Sequence, residues 1–101
     1  MLAGRLHHVS FPVTHLERAT DFYGRVLGLE PIERPSFPFP GAWYRAGQCE
    51  VHLIVAYEGS DIGRTPRVLN PLAAHVAFAI DDYESVRERL EREGCTVLGA
   101  G

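Results

Sequence analysis

The chain has 101 residues, of which 46% are hydrophobic and 23% charged, and its formal net charge is −3. This length suits one globular domain that needs no metal ion or disulfide merely to fold. No run approaches the roughly 18 consecutive apolar residues of a transmembrane helix, and the acidic balance argues against a nucleic-acid-binding protein, so neither a membrane nor a nucleic acid is an expected partner.

The cysteines and the N-terminus indicate a cytoplasmic protein. Cys49 and Cys95 match no zinc-ligand spacing, and nothing in the sequence calls for a disulfide between them. The first residues run into a polar His-His pair and lack the apolar core of a signal peptide. Two reduced, partly buried thiols are therefore expected.

The chain opens with a predicted strand and a predicted helix. Residues 6–13 alternate in the two-residue period of a strand, with hydrophobic side chains on one face. Thr14 and Glu17 have the spacing of a capping box, which predicts a helix with Thr14 as its N-cap. Apolar residues then recur at spacings of three and four, and Gly28 is placed to end the helix as a left-handed C-cap.

Three further strands are predicted in the first half of the chain. Residues 29–34 form the first, and a loop with several prolines follows it. Residues 42–46 and 49–57 form a hairpin joined by a glycine turn. We interpret residues 1–57 as one complete module of a strand, a helix and three strands.

The opening pattern returns 67 positions later, after a polar loop over residues 58–73. Residues 75–80 repeat the strand phase of residues 8–13, and Asp81 occupies the N-cap position of a second predicted helix. We interpret residues 74–101 as a second, incomplete copy of the module. The two copies are expected to pack together, since neither can cover its own sheet.

Three of the five histidines occupy a similar place in this pattern. His8, His52 and His75 each lie in a predicted strand, on the side opposite its row of bulky apolar residues. If the helices pack on the apolar rows, the imidazoles project from the uncovered face and form a candidate site for a borderline divalent metal ion. The simpler interpretation stays open, because the spacing matches no short metal motif and most strand histidines are hydrogen-bonded or half-exposed residues.

Five segments carry a family resemblance, namely residues 6–13, 16–17, 21–29, 51–54 and 75–82. The most specific is Phe-Tyr followed by Val-Leu-Gly-Leu on the first predicted helix. With these segments the sequence resembles the vicinal oxygen chelate superfamily, also called the glyoxalase, bleomycin-resistance and extradiol dioxygenase superfamily. The resemblance implies an α+β fold of paired βαβββ modules that form a half-open barrel around a metal ion, here with the second module truncated at its C-terminus.

The resemblance also implies metal ligands. His8, His52 and His75 match positions that hold a divalent ion, which would be zinc, nickel, cobalt, manganese or iron. The fourth ligand is normally a Glu on the last strand of the second module, before which this sequence ends. Glu50 shares the face of His52 and is a candidate catalytic carboxylate in its place, against the simpler interpretation of a solvated glutamate at a strand start.

A group of aromatic residues lies in and after the proline-rich loop. Such residues often only pack against a sheet edge, but here they are also candidates to line the mouth of a substrate pocket. The candidate pocket residues are Phe37, Phe39, Trp43 and Tyr44.

Three functions remain open at this point. The first is a metal-dependent lyase or isomerase of the glyoxalase or epimerase type, in which the ion chelates adjacent oxygens of a small-molecule substrate. The second is an extradiol-type dioxygenase or a thiol transferase. The third is a metal-free module that binds a small molecule, as in bleomycin resistance. An open sheet edge also predicts a homodimer.

Overall fold

The structure is a computed structural model that describes residues 1–99. The chain divides into two compact units, Met1–Ile62 and Gly63–Gly101. The expected module boundaries at residues 57 and 74 stay a prediction, and the last two residues of the second module lie outside the described residues. The elements in chain order are strand β1 (His8–Val13), helix α1 (Leu16–Thr20), a π-helical segment (Asp21–Val26), strands β2 (Glu30–Ile32), β3 (Gly41–Ala46) and β4 (Cys49–Val55), and helix α2 (Tyr83–Arg92).

The first unit contains a mixed four-stranded sheet in the order β1-β4-β3-β2. Strand β1 runs parallel to β4, whereas β3 is antiparallel to both β4 and β2. Parallel neighbours need a long crossover connection, and the helical segments together with β2 and β3 lie between β1 and β4 in the chain. The α+β class and the order of one strand, one helix and three strands are confirmed. None of the helices within residues 1–99 is long and apolar enough to span a membrane.

The core of the first unit lies on one face of this sheet. Tyr44, Val51 and Leu53 are its buried hydrophobic residues, and Leu53 is 0% exposed. Burial of such a side chain contributes about 1.5–3 kcal/mol. Alternation along β1 and β4 brings the predicted apolar rows to this face, as expected. The partly buried residues around the core are Val9, Phe11, Val13, Ala19, Tyr23, Leu29, Ala42 and Ala46.

The first helix differs from its prediction at both ends. It begins at Leu16 with His15 as the N-cap, and no side chain caps it, so the predicted capping box is wrong. Thr14 lies one position too early for its hydroxyl to reach the free N–H groups of the first turn. From Asp21 to Val26 the helix is a π-helix, and the Leu27 N–H donates to the Phe22 carbonyl five residues back at 2.8 Å.

The second unit contains a matching helix without the π-helical turn. Helix α2 begins 67 positions after α1, and its N-cap is Asp82 rather than the expected Asp81. The Asp82 carboxylate accepts the Ser85 N–H at 3.3 Å. A glycine at positive φ follows each helical region, as predicted. Gly28 lies twelve positions after the first residue of α1, whereas Gly94 lies eleven positions after the first residue of α2. The first helical region therefore has one extra residue.

Residues 75–80 are not a strand, in contrast to the sequence prediction. A strand is defined by the hydrogen bonds of a neighbouring strand, and no strand is present among the described residues 63–99 of the second unit. Their alternating apolar side chains are exposed, with Val76 and Phe78 at 37% and Ile80 at 49%. The sequence pattern is thus that of a strand, but no ladder forms.

The start of β3 requires a glycine. A Cβ at Gly41 would collide with the carbonyl oxygen of Leu53 and would lie 3.0 Å from the Arg34 guanidinium. We expect Gly41→Ala to lower the free energy of unfolding of the first unit by about 1–3 kcal/mol, the usual cost of overpacking. Urea unfolding followed by the fluorescence of Trp43, the only tryptophan of the chain, measures this loss.

The matched control is Gly4→Ala, since a Cβ at Gly4 meets no atom within 4 Å. Equal unfolding midpoints for the two variants would contradict the expectation.

Candidate functional site

The side of the sheet opposite the core carries polar and aromatic side chains. In the strand register Ser10 and Trp43 flank His52 on β4, and His8 and Arg45 flank Glu50. These positions alternate with the core positions along their strands, so they share the opposite face. We call this surface the histidine face, and it consists of His8, Ser10, Trp43, Arg45, Glu50 and His52.

His52 is the centre of a stack of three rings. The His8 ring lies 4.1 Å from it at 18°, and the Trp43 ring lies 3.9 Å from it at 2°. Since β1 and β3 flank β4 on opposite sides, both faces of the imidazole are covered. His52 is 7% exposed and is the only buried polar side chain within residues 1–99. Its nitrogens can therefore be reached only along the ring edge.

One edge nitrogen of His52 is held by Glu50. The His52 Nε2 lies 2.8 Å from the Glu50 Oε1, and this hydrogen bond joins two residues on one face of β4. The hydrogen bond from His52 holds the pKa of the Glu50 carboxyl below its usual value, although partial burial opposes this shift. The Arg45 charge acts in the same direction as the hydrogen bond, as do His7 and His52 when they are protonated. Glu50 is therefore kept as an acceptor for the imidazole N–H.

The other nitrogen of His52 is available. Its Nδ1 makes no hydrogen bond to any residue of the described chain, and the only fully buried side-chain N or O atom without a partner there is the Arg34 Nε. The His52 Nδ1 therefore reaches the surface. One edge of this imidazole is fixed to a carboxylate, and the nitrogen on the other edge has no partner among the described residues.

His8 has a second histidine as its partner. The Nδ1 atoms of His7 and His8 lie 2.9 Å apart, so one ring donates its proton and the other accepts it. His7 lies just before the first residue of β1, so it does not follow the alternation of that strand. Its side chain can therefore lie on the same side as that of His8. Sequence analysis did not find this contact, because the predicted strand began two residues earlier.

The aromatic residues of the proline-rich loop continue from the histidine face. The Phe37 ring lies 6.1 Å from Trp43 and stacks on Phe39 at 5.1 Å. The Arg34 guanidinium lies 5.0 and 5.1 Å from the two phenylalanine rings and donates to the Phe39 carbonyl at 2.8 Å. These cation–π contacts and this hydrogen bond hold the loop in place. Arg34 was missed by sequence analysis, since it lies beyond the alternating part of β2.

Tyr44 is not brought together with the other three predicted pocket residues. It follows Trp43 in β3, so its side chain points to the opposite face, where it belongs to the core and is 4% exposed. Burial raises the pKa of its hydroxyl above the usual value. The structure thus groups Phe37 and Phe39 with Trp43 at the edge of the histidine face, without Tyr44.

His75 is described within the second unit. Its Nδ1 lies 2.7 Å from the Ala73 carbonyl, so the imidazole donates its proton there and keeps the Nε2 lone pair. A metal-bound histidine typically donates its other N–H to such an oxygen. The structure brings His8 and His52 together within the first unit, and the three-histidine ligand set stays a prediction.

The donor chemistry of the histidine face fits a borderline divalent ion. Imidazole nitrogens are preferred ligands of such ions, and the His52 Nδ1 is available to bind one. Among residues 1–99 no three His, Cys, Asp or Glu side chains are grouped so as to hold a metal ion. The first unit therefore contributes two imidazoles, and a full ligand set needs donors in addition to these.

Known proteins resemble this chain over nearly its whole length. Residues 5–100 match the Glyoxalase/Bleomycin resistance protein/Dioxygenase superfamily. The protein named Glyoxylase I 4 of Arabidopsis thaliana is 33% identical, with 94% of this chain and 55% of that protein covered. The ethylmalonyl-CoA/methylmalonyl-CoA epimerase of Cereibacter sphaeroides is 30% identical, with 99% of this chain and 78% of that protein covered. The chain thus spans about half the length of the Arabidopsis protein.

A solved structure has the same fold. A glyoxalase family protein from Bacillus anthracis matches with a TM-score of 0.68 at 26% identity, and the match covers 91% of this chain and 71% of that protein. The α+β architecture expected from the sequence is therefore that of glyoxalase-family structures.

The lowered pKa of Glu50 predicts a pH-dependent stability. A carboxyl with a lower pKa in the folded than in the unfolded state stabilises the fold above its unfolded pKa of about 4.3, and this contribution is lost as the pH falls through the folded pKa. Wild type should therefore be more stable than Glu50→Gln at pH 6, and the difference should shrink at pH 3. Urea unfolding followed by Trp43 fluorescence measures both values.

The control is Glu33→Gln, which replaces an exposed glutamate of the same unit. Its difference from wild type should change little between the two pH values. A Glu50→Gln difference that stays constant or grows on acidification would refute the prediction.

Proposed function

The chain belongs to the glyoxalase/bleomycin resistance protein/dioxygenase superfamily, and from this premise we propose that it acts as a metal-dependent lyase or isomerase on a small substrate with adjacent oxygen atoms. We assign His8, His52 and His75 as ligands of a divalent ion. The ion would be zinc, nickel, cobalt or iron, which suit imidazole ligands, or manganese, and metal analysis of the purified chain identifies it.

The observation that carries this proposal is the paired histidines of the histidine face. His52 is a largely buried imidazole whose Nδ1 still reaches the surface. One nitrogen has Glu50, and a metal ion would supply the partner of the other. The availability of that nitrogen beside a second imidazole supports a ligand role for His52 over a purely structural one.

The residues around the ligands suit a small polar substrate with an apolar part. The bound ion would chelate the adjacent oxygens and stabilise the negative charge that develops on them. Trp43 and Phe37 form an apolar wall next to His52 and limit the access of water. Arg45 lies beside Glu50 in the register and places a positive charge at the other end of the face.

Metal titration of the intact chain tests the proposal. Ni²⁺ bound to His52 would lie close to Trp43 and quench its fluorescence. We expect saturable quenching by Ni²⁺, and at least about tenfold weaker binding in His8→Ala and His75→Ala, because even residues that only support a ligand usually contribute 10–100-fold to affinity.

His15→Ala is the matched control, since His15 is exposed at the N-cap of α1 and belongs to no predicted ligand set. Its affinity should equal that of wild type. Absence of saturable quenching in the wild type at millimolar Ni²⁺ would refute metal binding.

An isomerase activity has its own readout. The relative named as an ethylmalonyl-CoA/methylmalonyl-CoA epimerase suggests methylmalonyl-CoA as the first probe. Loading the chain with each ion in turn and following incorporation of solvent deuterium into the probe would detect removal and return of a proton. Incorporation that disappears with a chelator and returns with one ion would support the proposed activity.

A metal-free binding module is the second candidate function, and the ring stack favours it. The continuous stack of His8, His52 and Trp43, extended by Phe37, offers flat surfaces to a planar ligand. In this alternative, small aromatic compounds raise the melting temperature of the chain in the presence of a chelator. Stabilisation that requires a metal ion would favour the first proposal.

We also propose that the protein is a cytoplasmic homodimer. Within the first unit β1 has a strand on one side only, and a free sheet edge promotes association. Light scattering of the purified chain measures its mass, and a monomer at high concentration would contradict the dimer. Cys49 and Cys95 are both free thiols, in keeping with a reducing compartment.

A further inference from the structure

We propose that Glu50 is a positioning residue that fixes the proton of the neutral His52 imidazole on Nε2, so that Nδ1 is the nitrogen that faces the metal ion. This inference rests on the proposed function for the metal ion itself. It assigns Glu50 a different role from the proton-transferring carboxylate expected from the sequence.

The hydrogen bond between Glu50 and His52 has a defined direction. An ionised carboxylate only accepts, so the 2.8 Å contact between the Glu50 Oε1 and the His52 Nε2 requires the proton to be on Nε2. In a neutral imidazole the lone pair is then on Nδ1. The hydrogen bond thus selects one of the two tautomers.

The rings of two neighbouring residues confine the His52 ring. His8 and Trp43 cover its two faces at 4.1 and 3.9 Å, and the side chain is buried. A flip about the Cβ–Cγ bond, which would put the Cε1 carbon in the place of Nε2, would have to disturb both stacking contacts and break the hydrogen bond to Glu50. The stack holds the ring plane, and Glu50 sets which edge of the ring faces outward.

The geometry of strand β4 brings Glu50 and His52 together. Glu50 and His52 are two residues apart, so strand alternation puts their side chains on one face. The same strand therefore supplies both the proposed ligand and the carboxylate that orients it. Supporting carboxylates of this kind fix the tautomer of metal-bound histidines and raise their basicity.

The arginine beside this carboxylate does not take the place of His52. Arg45 lies opposite Glu50 in the register, and its guanidinium pairs with Glu30 at 4.0 Å. Glu50 therefore remains available to the imidazole.

The experiment is ¹⁵N–¹H correlation spectroscopy of the imidazoles in the intact chain labelled with ¹⁵N-histidine. The spectrum is recorded about two pH units above the ordinary histidine pKa of about 6.5, where imidazoles are neutral. Comparison with His52→Gln assigns the His52 signals. We expect the Nε2–H tautomer in the wild type, and on addition of Zn²⁺ a shift of Nδ1 with Nε2 still protonated.

Two variants separate positioning from a general structural role. Glu50→Ala should convert His52 to a mixture of tautomers and weaken Zn²⁺ binding about 10–100-fold. Glu50→Gln keeps a carbonyl oxygen that can accept the Nε2–H, so it should restore much of the Nε2–H population and of the affinity. Glu33→Ala, which removes an exposed carboxylate elsewhere in the first unit, should change neither.

Each outcome decides one of the two proposals. A wild-type His52 protonated on Nδ1, a shift of Nε2 on addition of Zn²⁺, or an unchanged tautomer in Glu50→Ala would overturn the role of Glu50. Absence of Zn²⁺ binding in the wild type would overturn the proposed metal function and the metal-facing role of Nδ1. The tautomer measured without metal would still decide whether Glu50 fixes the proton.

Discussion

The pairing of β4 with strands on both of its sides is the constraint on which the rest of the first unit depends. Its alternating residues serve two purposes at once: Val51 and Leu53 fill the core, and Glu50 and His52 form the centre of the histidine face. Any shift of register by one residue would exchange the two sets, placing a carboxylate in the core and a leucine on the histidine face. Core packing therefore fixes the position of the imidazole as firmly as it fixes the sheet.

The fold and the two faces could be predicted from the sequence because strand alternation is local information. The positions of His8 and His52 opposite the apolar rows follow from their own neighbours in the chain. The contacts of His52 with His8 and Trp43 could not be predicted, since they depend on the register between strands that are far apart in sequence. The Glu50 hydrogen bond was within reach of the sequence, because its two residues are neighbours on one strand face.

The errors of prediction have physical causes. A capping box is recognised from residue types and their spacing alone. It predicted a helix that begins directly after Thr14, whereas the first helix begins one residue later than that, at Leu16. The segment 75–80 has the alternating side chains of a strand. A strand also needs a neighbouring strand that accepts and donates its backbone hydrogen bonds, and alternation alone does not provide one. Tyr44 was grouped with Trp43 because both are aromatic, whereas neighbours in a strand point to opposite sides.

The extra residue of the π-helical segment makes the two helical regions of the chain inequivalent. An additional residue advances every later side chain by about 100° around the helix axis. In this segment the Tyr23 ring lies 6.4 Å from the Tyr44 ring, and a side chain at Gly24 would meet the same ring, so the helix packs closely on the sheet of the first unit. An insertion of this kind offsets the two helical regions, so a residue transplanted from one helix to the other would no longer face the same neighbours.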